Sequence, residues 1–260
     1  MNSIEKKALL KERFGGVDIK EFDAQNNIPV EKTKLAIFDF DETLVHSQEV
    51  FRQVNIAAMK YLGLKYNDEI VRSIFSQYDK NYIGWGKNLK EQIEIYKNTF
   101  SPLVSKLSAD PKYYRQMTLF NGMRDVIKEL SKTDVALAIA SSRDLLSIMR
   151  FLKEEDLNHH FSMIEVTEGG KIFPDKPNPS IANWIMGETG IDYNNSVMIG
   201  DSVSDIQLGK NACMKTIGIG YGKYTSPEKI LAQKPDAILN KEEEISSLPQ
   251  IISGLFAKSK

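Results

Sequence analysis

The sequence has little of several features that mark particular classes of protein. Cys213 is the only cysteine among 260 residues, which excludes a disulfide or a cysteine-based zinc cluster within this chain. Neither charge dominates, because 34 lysines and arginines balance 35 aspartates and glutamates, and this argues against a nucleic-acid partner. No apolar run approaches the roughly 18 residues of a membrane span, and the charged stretch 1–16 lacks the apolar centre of a signal peptide. We therefore expect a cytoplasmic protein that binds neither nucleic acid nor membrane.

The order of the predicted elements indicates an α/β fold. An apolar strand is expected at 34–39, and three helical patterns follow it without an intervening strand, at about 47–60, 67–78 and 89–99. Strands and helices then alternate, with strands expected at about 135–140, 162–166, 196–200, 214–219 and 237–239. Such alternation is typical of a doubly wound, Rossmann-like parallel sheet with right-handed crossovers.

The long helical block after the first strand predicts a division of the chain into three parts. The predicted parts are an N-terminal extension (1–33), a catalytic core (34–46 and 118–260) and an inserted helical cap domain (47–117). Within the cap, Trp85 lies between two glycines, and we expect it to pack inside the cap rather than face a substrate.

Polar side chains follow three of the predicted strands, and a lysine flanked by prolines lies between the last two of these. In chain order they are Asp39, Asp41, Ser141, Ser142, Lys176, Asp201 and Asp205. Because ligands of open parallel sheets bind outside the carboxyl ends of the strands, we expect these side chains to meet there. Each alone has an ordinary explanation as a helix cap or a solvated surface residue, so it is their common placement that favours a site.

These residue types suit phosphoryl transfer through a covalent intermediate. Asp39 is the candidate nucleophile on phosphorus. Asp41 is placed to exchange a proton with the leaving alcohol and then with the attacking water. Lys176, the Ser141 hydroxyl and Mg²⁺ would supply positive charge and hydrogen-bond donors to the phosphoryl oxygens. Mg²⁺ prefers oxygen ligands, which carboxylates such as Asp39 and Asp201 provide.

With these residues in this order, the chain resembles the haloacid dehalogenase superfamily, in particular its phosphoglycolate phosphatase-like branch with a helical cap after the first strand. The segment from Asp39 to Leu44 is similar to the first motif of that superfamily, and Ser141, Lys176 and Asp201 stand where its three later motifs are expected. The resemblance implies that Asp39 is the nucleophile and Asp41 the general acid and base. It also implies a small phosphorylated metabolite as substrate.

The resemblance extends to the phosphate and metal ligands. It implies phosphate binding by Ser141, Ser142 and Lys176. It further implies Mg²⁺ held by the Asp39 side chain, the Asp41 backbone carbonyl and Asp201, with Asp205 supporting these ligands from behind.

The sequence also departs from the common pattern of the superfamily. The departures are Glu42, Ser142 and Cys213, where glycine, asparagine and glycine are frequent, and His46, where aspartate is frequent. Glu42 and His46 border the expected substrate entrance, so the common pattern is a weak guide to the substrate. Two alternatives stay open: a sugar phosphomutase of the same superfamily, and a regulatory protein that binds phosphate without turnover. The sequence does not specify the oligomeric state.

Overall fold

The computed structural model describes residues 32–74, 81–170, 172–223 and 225–257. The predicted N-terminal extension lies outside the described residues except for 32 and 33, and so does the end of the helical pattern expected at 67–78.

Eight strands occur in the described residues. In chain order they are β1 (Lys34–Phe38), β2 (Val45–His46), β3 (Thr118–Leu119), β4 (Val135–Ser141), β5 (Met163–Val166), β6 (Ser196–Gly200), β7 (Lys215–Ile219) and β8 (Ala237–Leu239). Six of them form a parallel sheet in the order β5-β4-β1-β6-β7-β8. The predicted doubly wound α/β sheet is confirmed.

Helices cover both faces of this sheet and fill the segment between β2 and β3. The described α-helices are Gln48–Tyr61, Asp68–Ile74, Leu89–Ile95, Ser101–Ser108, Pro111–Tyr114, Met123–Ser131, Leu145–Glu154, Ser180–Thr189, Val203–Asn211, Pro227–Ala232 and Leu248–Ala257. A π-helical segment, Tyr96–Phe100, and three 3₁₀ turns, Asn158–His160, Tyr193–Asn195 and Glu242–Ser247, complete the described elements. No helix in these ranges is both long enough and apolar enough to cross a bilayer.

The apolar strands are buried on both faces, which explains why their sequences show no alternation. Along β1, Ala36 and Phe38 pack against helices on one face, whereas Leu35 and Ile37 pack into a second apolar cluster on the other face. From β1 the chain proceeds outward to β4 and β5, and from β6 it proceeds to β7 and β8 on the opposite side. The strand order therefore reverses between β1 and β6, where open α/β sheets bind their ligands.

The helical block after β1 has its own apolar cluster. Its buried members are Ala58, Met59, Ile70, Val71, Ile74, Trp85 and Phe100. Trp85 is 1% exposed and its indole N–H donates to the Lys65 carbonyl at 2.8 Å, so it packs inside this block as expected. The described residues between β2 and β3 contain only helices and loops. The exact limits of the cap at 47 and 117 stay a prediction.

The sequence patterns missed the shortest elements. The antiparallel ribbon of β2 and β3, which joins the core to the helical block, pairs only Val45 with Leu119 and His46 with Thr118. Two residues are too few to show a periodicity of two. The helices Ser101–Ser108, Pro111–Tyr114 and Pro227–Ala232 were also unforeseen, because each spans about two turns or fewer.

Two helical glycines provide a test of how tightly the sheet is packed. A Cβ on Gly209 would lie 2.6 Å from Thr216 Cγ2 and 2.9 Å from Met198 Cβ, so we expect Gly209→Ala to destabilise the protein by about 1–3 kcal/mol. Nothing lies within 4 Å of a Cβ on Gly187, so we expect Gly187→Ala to be neutral or to stabilise by up to about 1 kcal/mol. Urea unfolding of both variants measures the difference, and equal effects would contradict the packing described for Gly209.

Candidate active site

The reversal of strand order brings two acidic side chains together. Asp39 follows β1 and Asp201 follows β6, and the Asp39 backbone N–H donates to the Ile199 carbonyl at 2.8 Å. Asp39 is 8% exposed and Asp201 is 2% exposed. Two neighbouring carboxylates are thus buried at the edge of the sheet where a ligand is expected.

Lys176 joins the carboxylate of Asp39 to that of Asp205. Its side chain is 5% exposed, and its Nζ donates to Asp39 Oδ1 at 2.7 Å and to Asp205 Oδ1 at 2.8 Å. Asp205 is held in turn by Ser202, whose backbone N–H donates to Oδ2 at 3.0 Å in a capping box at the start of the helix Val203–Asn211. Lys176 is therefore fixed between two elements of the core.

This site buries more acidic groups than basic ones. Oxygens of Asp39, Asp201 and Asp205 all lie within 4.8 Å of one another. Burial raises the pKa of Asp39 to about 7, with Lys176 opposing the rise and Asp205 and Asp41 adding to it. Burial, together with the carboxylates of Asp39, Asp205 and Glu42, raises the pKa of Asp201 well above its usual range. Burial alone would lower the pKa of Lys176, but Asp205 and Asp39 outweigh it and raise that pKa. The cluster therefore favours an added cation.

Asp201 supplies the clearest sign of where a cation fits. Its Oδ2 is buried and accepts no hydrogen bond from the described residues. Gly222 closes over this side chain, since a Cβ there would lie 2.6 Å from Asp201 Cβ and 2.8 Å from Oδ2. A buried carboxylate oxygen with no donor is costly unless a ligand pairs with it. The residues present thus fit a divalent metal ion bound by oxygen.

Asp41 is bound by a residue to which the sequence patterns assigned no role. Arg143 Nε donates to both carboxylate oxygens of Asp41, at 2.9 and 3.0 Å, and Nη2 donates to Oδ1 at 2.7 Å. Arg143 directly follows the predicted serines, so its place in the sequence was visible but its target was not. It is a basic residue at a strand end, which is the one signal that could have identified it.

The two predicted serines have different surroundings. Ser141 ends β4 and is 1% exposed, and its Oγ accepts the Arg143 backbone N–H at 3.2 Å. The Ser141 carbonyl accepts the Thr167 backbone N–H at 2.9 Å, which fixes the residue in the sheet. Ser142 is exposed. Ser141 is therefore built into the edge of the sheet, whereas Ser142 faces solvent.

Glu42 binds two neighbouring segments to the loop after β1, which also carries Asp39 and Asp41. Its φ is 55°, in the left-handed region that glycine adopts most readily, which agrees with the glycine frequent here in the superfamily that the chain resembles. Its Oε1 accepts the backbone N–H groups of Ser47 and Gln48 at 2.8 and 2.9 Å, and its Oε2 accepts that of Lys223 at 3.1 Å. The carboxylate, 1% exposed, thus holds the start of the first cap helix and the loop after β7.

His46 contacts the connection to the helical block. Its ring centroid lies 3.8 Å from that of Phe120, and its Nε2 lies 3.6 Å from Glu242 Oε1. Neither partner belongs to the carboxylate cluster.

Known proteins are similar to this chain in sequence. The family model described as haloacid dehalogenase-like hydrolase matches residues 36–219. A phosphoglycolate phosphatase from Vibrio parahaemolyticus is 25% identical over 225 residues, which cover 82% of this chain and 94% of that protein.

Solved structures share the fold. A haloacid dehalogenase-like family hydrolase from Streptococcus pneumoniae has a TM-score of 0.64 at 19% identity and covers 84% of this chain and 98% of its own. A candidate β-phosphoglucomutase from Thermotoga maritima has a TM-score of 0.61 at 18% identity, with 84% and 98% covered.

The raised pKa values predict that the metal-free protein loses stability as the pH rises. In the folded protein the carboxyls of Asp39 and Asp201 keep protons that the unfolded chain releases near pH 4. Their contribution to the unfolding free energy is therefore fully present below about pH 4. It is lost as the pH rises through the pKa values of the folded protein, which for Asp39 is about 7. In EDTA, we expect the unfolding free energy to fall between pH 5 and 8, and Asp201→Asn to flatten the fall by up to about 1.4 kcal/mol per pH unit.

Urea unfolding at each pH measures this effect. Asp156→Asn is the matched control, because that side chain is 88% exposed, and its profile should follow the wild type. An Asp201→Asn profile parallel to both would contradict the raised pKa of Asp201.

Proposed function

The chain belongs to the haloacid dehalogenase-like hydrolases, and we propose that it is a Mg²⁺-dependent phosphatase that hydrolyses a small phosphomonoester through an aspartyl-phosphate on Asp39. The observation that carries the proposal is the surroundings of Asp39. It is buried at the reversal point of the sheet, with the ammonium of Lys176 on its Oδ1 and the carboxylate of Asp201 beside it. A candidate nucleophile, a fixed cation and a candidate metal ligand thus lie close together, which supports the proposal.

The chain's own residues have roles in two successive displacements at phosphorus. In the first, a bond forms between a carboxylate oxygen of Asp39 and phosphorus as the ester P–O bond breaks, and the leaving oxygen takes a proton from Asp41. In the second, water attacks the phosphorus and gives a proton to Asp41, and Asp39 leaves as a carboxylate. Lys176 and the Ser141 hydroxyl donate to the phosphoryl oxygens in both steps.

Mg²⁺ would be held by the carboxylates of Asp39 and Asp201 and by the backbone carbonyl of Asp41. When bound, it neutralises negative charge on the phosphoryl oxygens and on the clustered carboxylates. Both oxygens of Asp205 are already engaged, by Lys176 and Ser202, so Asp205 supports the site instead of adding a ligand.

The substrate class is proposed from the relatives. Because curated relatives are phosphoglycolate phosphatases, 2-phosphoglycolate is the first ester to test, followed by sugar phosphates and nucleoside monophosphates. The likeness to a candidate phosphomutase concerns the fold, and a mutase would isomerise a hexose 1-phosphate in the presence of its bisphosphate. A regulatory phosphate binder would release no phosphate from any monoester. We also propose a cytoplasmic location, which a single cysteine in the chain suits.

The nucleophile is tested by removing its negative charge. We expect Asp39→Asn to lower phosphate release from 4-nitrophenyl phosphate by at least about 10³-fold, because an amide cannot form the aspartyl-phosphate. We expect Asp41→Asn to lower it by about 10²- to 10⁴-fold, because the water that hydrolyses the aspartyl-phosphate then has no carboxylate to take its proton. Steady-state assays in saturating Mg²⁺ measure both.

The exposed Asp156 again supplies the control, since Asp156→Asn makes the same chemical change away from the site and should keep wild-type activity. Substantial turnover by folded Asp39→Asn would contradict the covalent mechanism. Mass spectrometry of wild-type protein quenched during turnover should show one added phosphoryl group.

Metal binding has a readout that is independent of activity. At pH 8 we expect Mg²⁺ to raise the unfolding free energy of the wild type, by about 2.7 kcal/mol at 100 times its dissociation constant. The effect should be smaller at pH 6, because Asp39, whose pKa is about 7 without metal, must first release a proton. Asp201→Asn should abolish the response while the exposed Asp156→Asn keeps it. An equal response in the Asp201 variant would contradict the assigned site.

A further inference from the structure

The contact between Arg143 and Asp41 has a geometry that leaves the two carboxylate oxygens in different states. Oδ1 accepts two hydrogen bonds from the guanidinium, from Nε at 2.9 Å and from Nη2 at 2.7 Å. Oδ2 accepts one from Nε, at 3.0 Å. Nε carries one hydrogen, which it shares between the two oxygens, so Oδ1, which also accepts from Nη2, is the more fully engaged, and Oδ2 is left able to make one further hydrogen bond.

Arg143 is held in place by burial of its side chain and by hydrogen bonds on either side of it along the backbone. The Arg143 side chain is 3% exposed, whereas that of Asp41 is 20% exposed. On one side, the Arg143 backbone N–H donates to Ser141 Oγ at 3.2 Å. On the other side, Asp144 caps the helix Leu145–Glu154 by accepting the Ser147 backbone N–H at 2.8 Å. With its backbone fixed on both sides and its side chain buried, Arg143 offers Asp41 a planar guanidinium, which favours one orientation of the carboxylate that it binds.

We infer that Arg143 is a positioning residue that presents Oδ2 of Asp41 to the leaving group and to the attacking water. The inference rests on the proposed function, since it assigns a role within that reaction. In this role Arg143 acts by orienting Asp41, and it does not itself bind the phosphoryl group. The charge of Arg143 alone would not produce this effect, because a lysine ammonium lacks the planar fork that fixes both oxygens.

The role is tested by comparing two leaving groups. During transfer to Asp39 the ester P–O bond breaks and its electron pair remains on the leaving oxygen. The 4-nitrophenolate released from 4-nitrophenyl phosphate is stable with that charge. The benzyl alkoxide released from benzyl phosphate is not, and it needs the proton of Asp41. Misplacing Asp41 should therefore slow transfer from benzyl phosphate much more than from 4-nitrophenyl phosphate. General damage to the site would slow both esters alike.

The experiment measures kcat/KM, which reports the first transfer, for both esters with Mg²⁺ present. We expect Arg143→Ala to lose about 10- to 100-fold more activity on benzyl phosphate than on 4-nitrophenyl phosphate. Arg143→Lys keeps the charge without the fork and should show the same preference to a smaller degree, which provides a second variant if Arg143→Ala does not fold. Arg115→Ala is the matched control, because Arg115 makes the same three contacts with one carboxylate, that of Glu154, but is exposed and has no part in the proposed site. This variant should show no preference between the two esters beyond that of the wild type.

A double-mutant comparison separates action through Asp41 from an independent effect. In an Asp41→Asn background, Arg143→Ala should cause little further loss on benzyl phosphate. Equal losses on the two esters, or full additivity in this background, would overturn the inference while leaving the proposed function intact. A wild-type protein that releases phosphate from neither ester would overturn the proposed function, and the inference with it.

Discussion

The structure depends on one buried ammonium that compensates an excess of buried negative charge. Lys176 lies between Asp39 and Asp205, at 2.7 and 2.8 Å, and Asp201 adds a third carboxylate within 4.8 Å. One positive charge cannot balance three negative ones, so the protein either retains protons on the carboxyls or binds a further cation. The raised pKa values of Asp39 and Asp201 are the first solution, and a metal ion would be the second. The same imbalance that destabilises the unliganded fold thus favours the binding of an added cation.

The sheet topology makes this concentration of charge possible. Asp39 and Asp201 lie close together because they follow β1 and β6, which are neighbours in the sheet. From β1 the chain continues toward one edge of the sheet, and from β6 it continues toward the other edge. The approach also requires glycine, since a Cβ on Gly200 would lie 2.4 Å from Asp205 Cγ, and one on Gly222 would lie 2.6 Å from Asp201 Cβ. The carboxylates therefore stay in position because the end of β6 and the loop after β7 come closer to them than any residue with a side chain would permit.

The sequence was sufficient to predict the features that depend on local pattern. It was insufficient to predict which distant residue a given side chain contacts. The buried strands and the polar residues that follow them could be predicted, because apolar runs and their order along the chain determine the sheet. The hydrogen bonds of Arg143 to Asp41 could not, because they join residues 102 positions apart through the path of two loops. The reason for Glu42 was hidden in the same way, since a φ of 55° and a distant partner at Lys223 leave no periodic trace. The cap limits, the catalytic roles and the cytoplasmic location stay predictions.

Glu42 also constrains how the helical block can be attached to the core. Its buried carboxylate accepts hydrogen bonds from the first turn of the helix Gln48–Tyr61 and from the loop after β7. Pulling either segment away would leave a buried charged group without its donors, at a cost of about 1–3 kcal/mol or more. Negative charge at a helix N-terminus adds to this attachment. The start of the helix Gln48–Tyr61 is therefore bound to the loop that carries Asp39 and Asp41, and moving it away from the core would cost these hydrogen bonds.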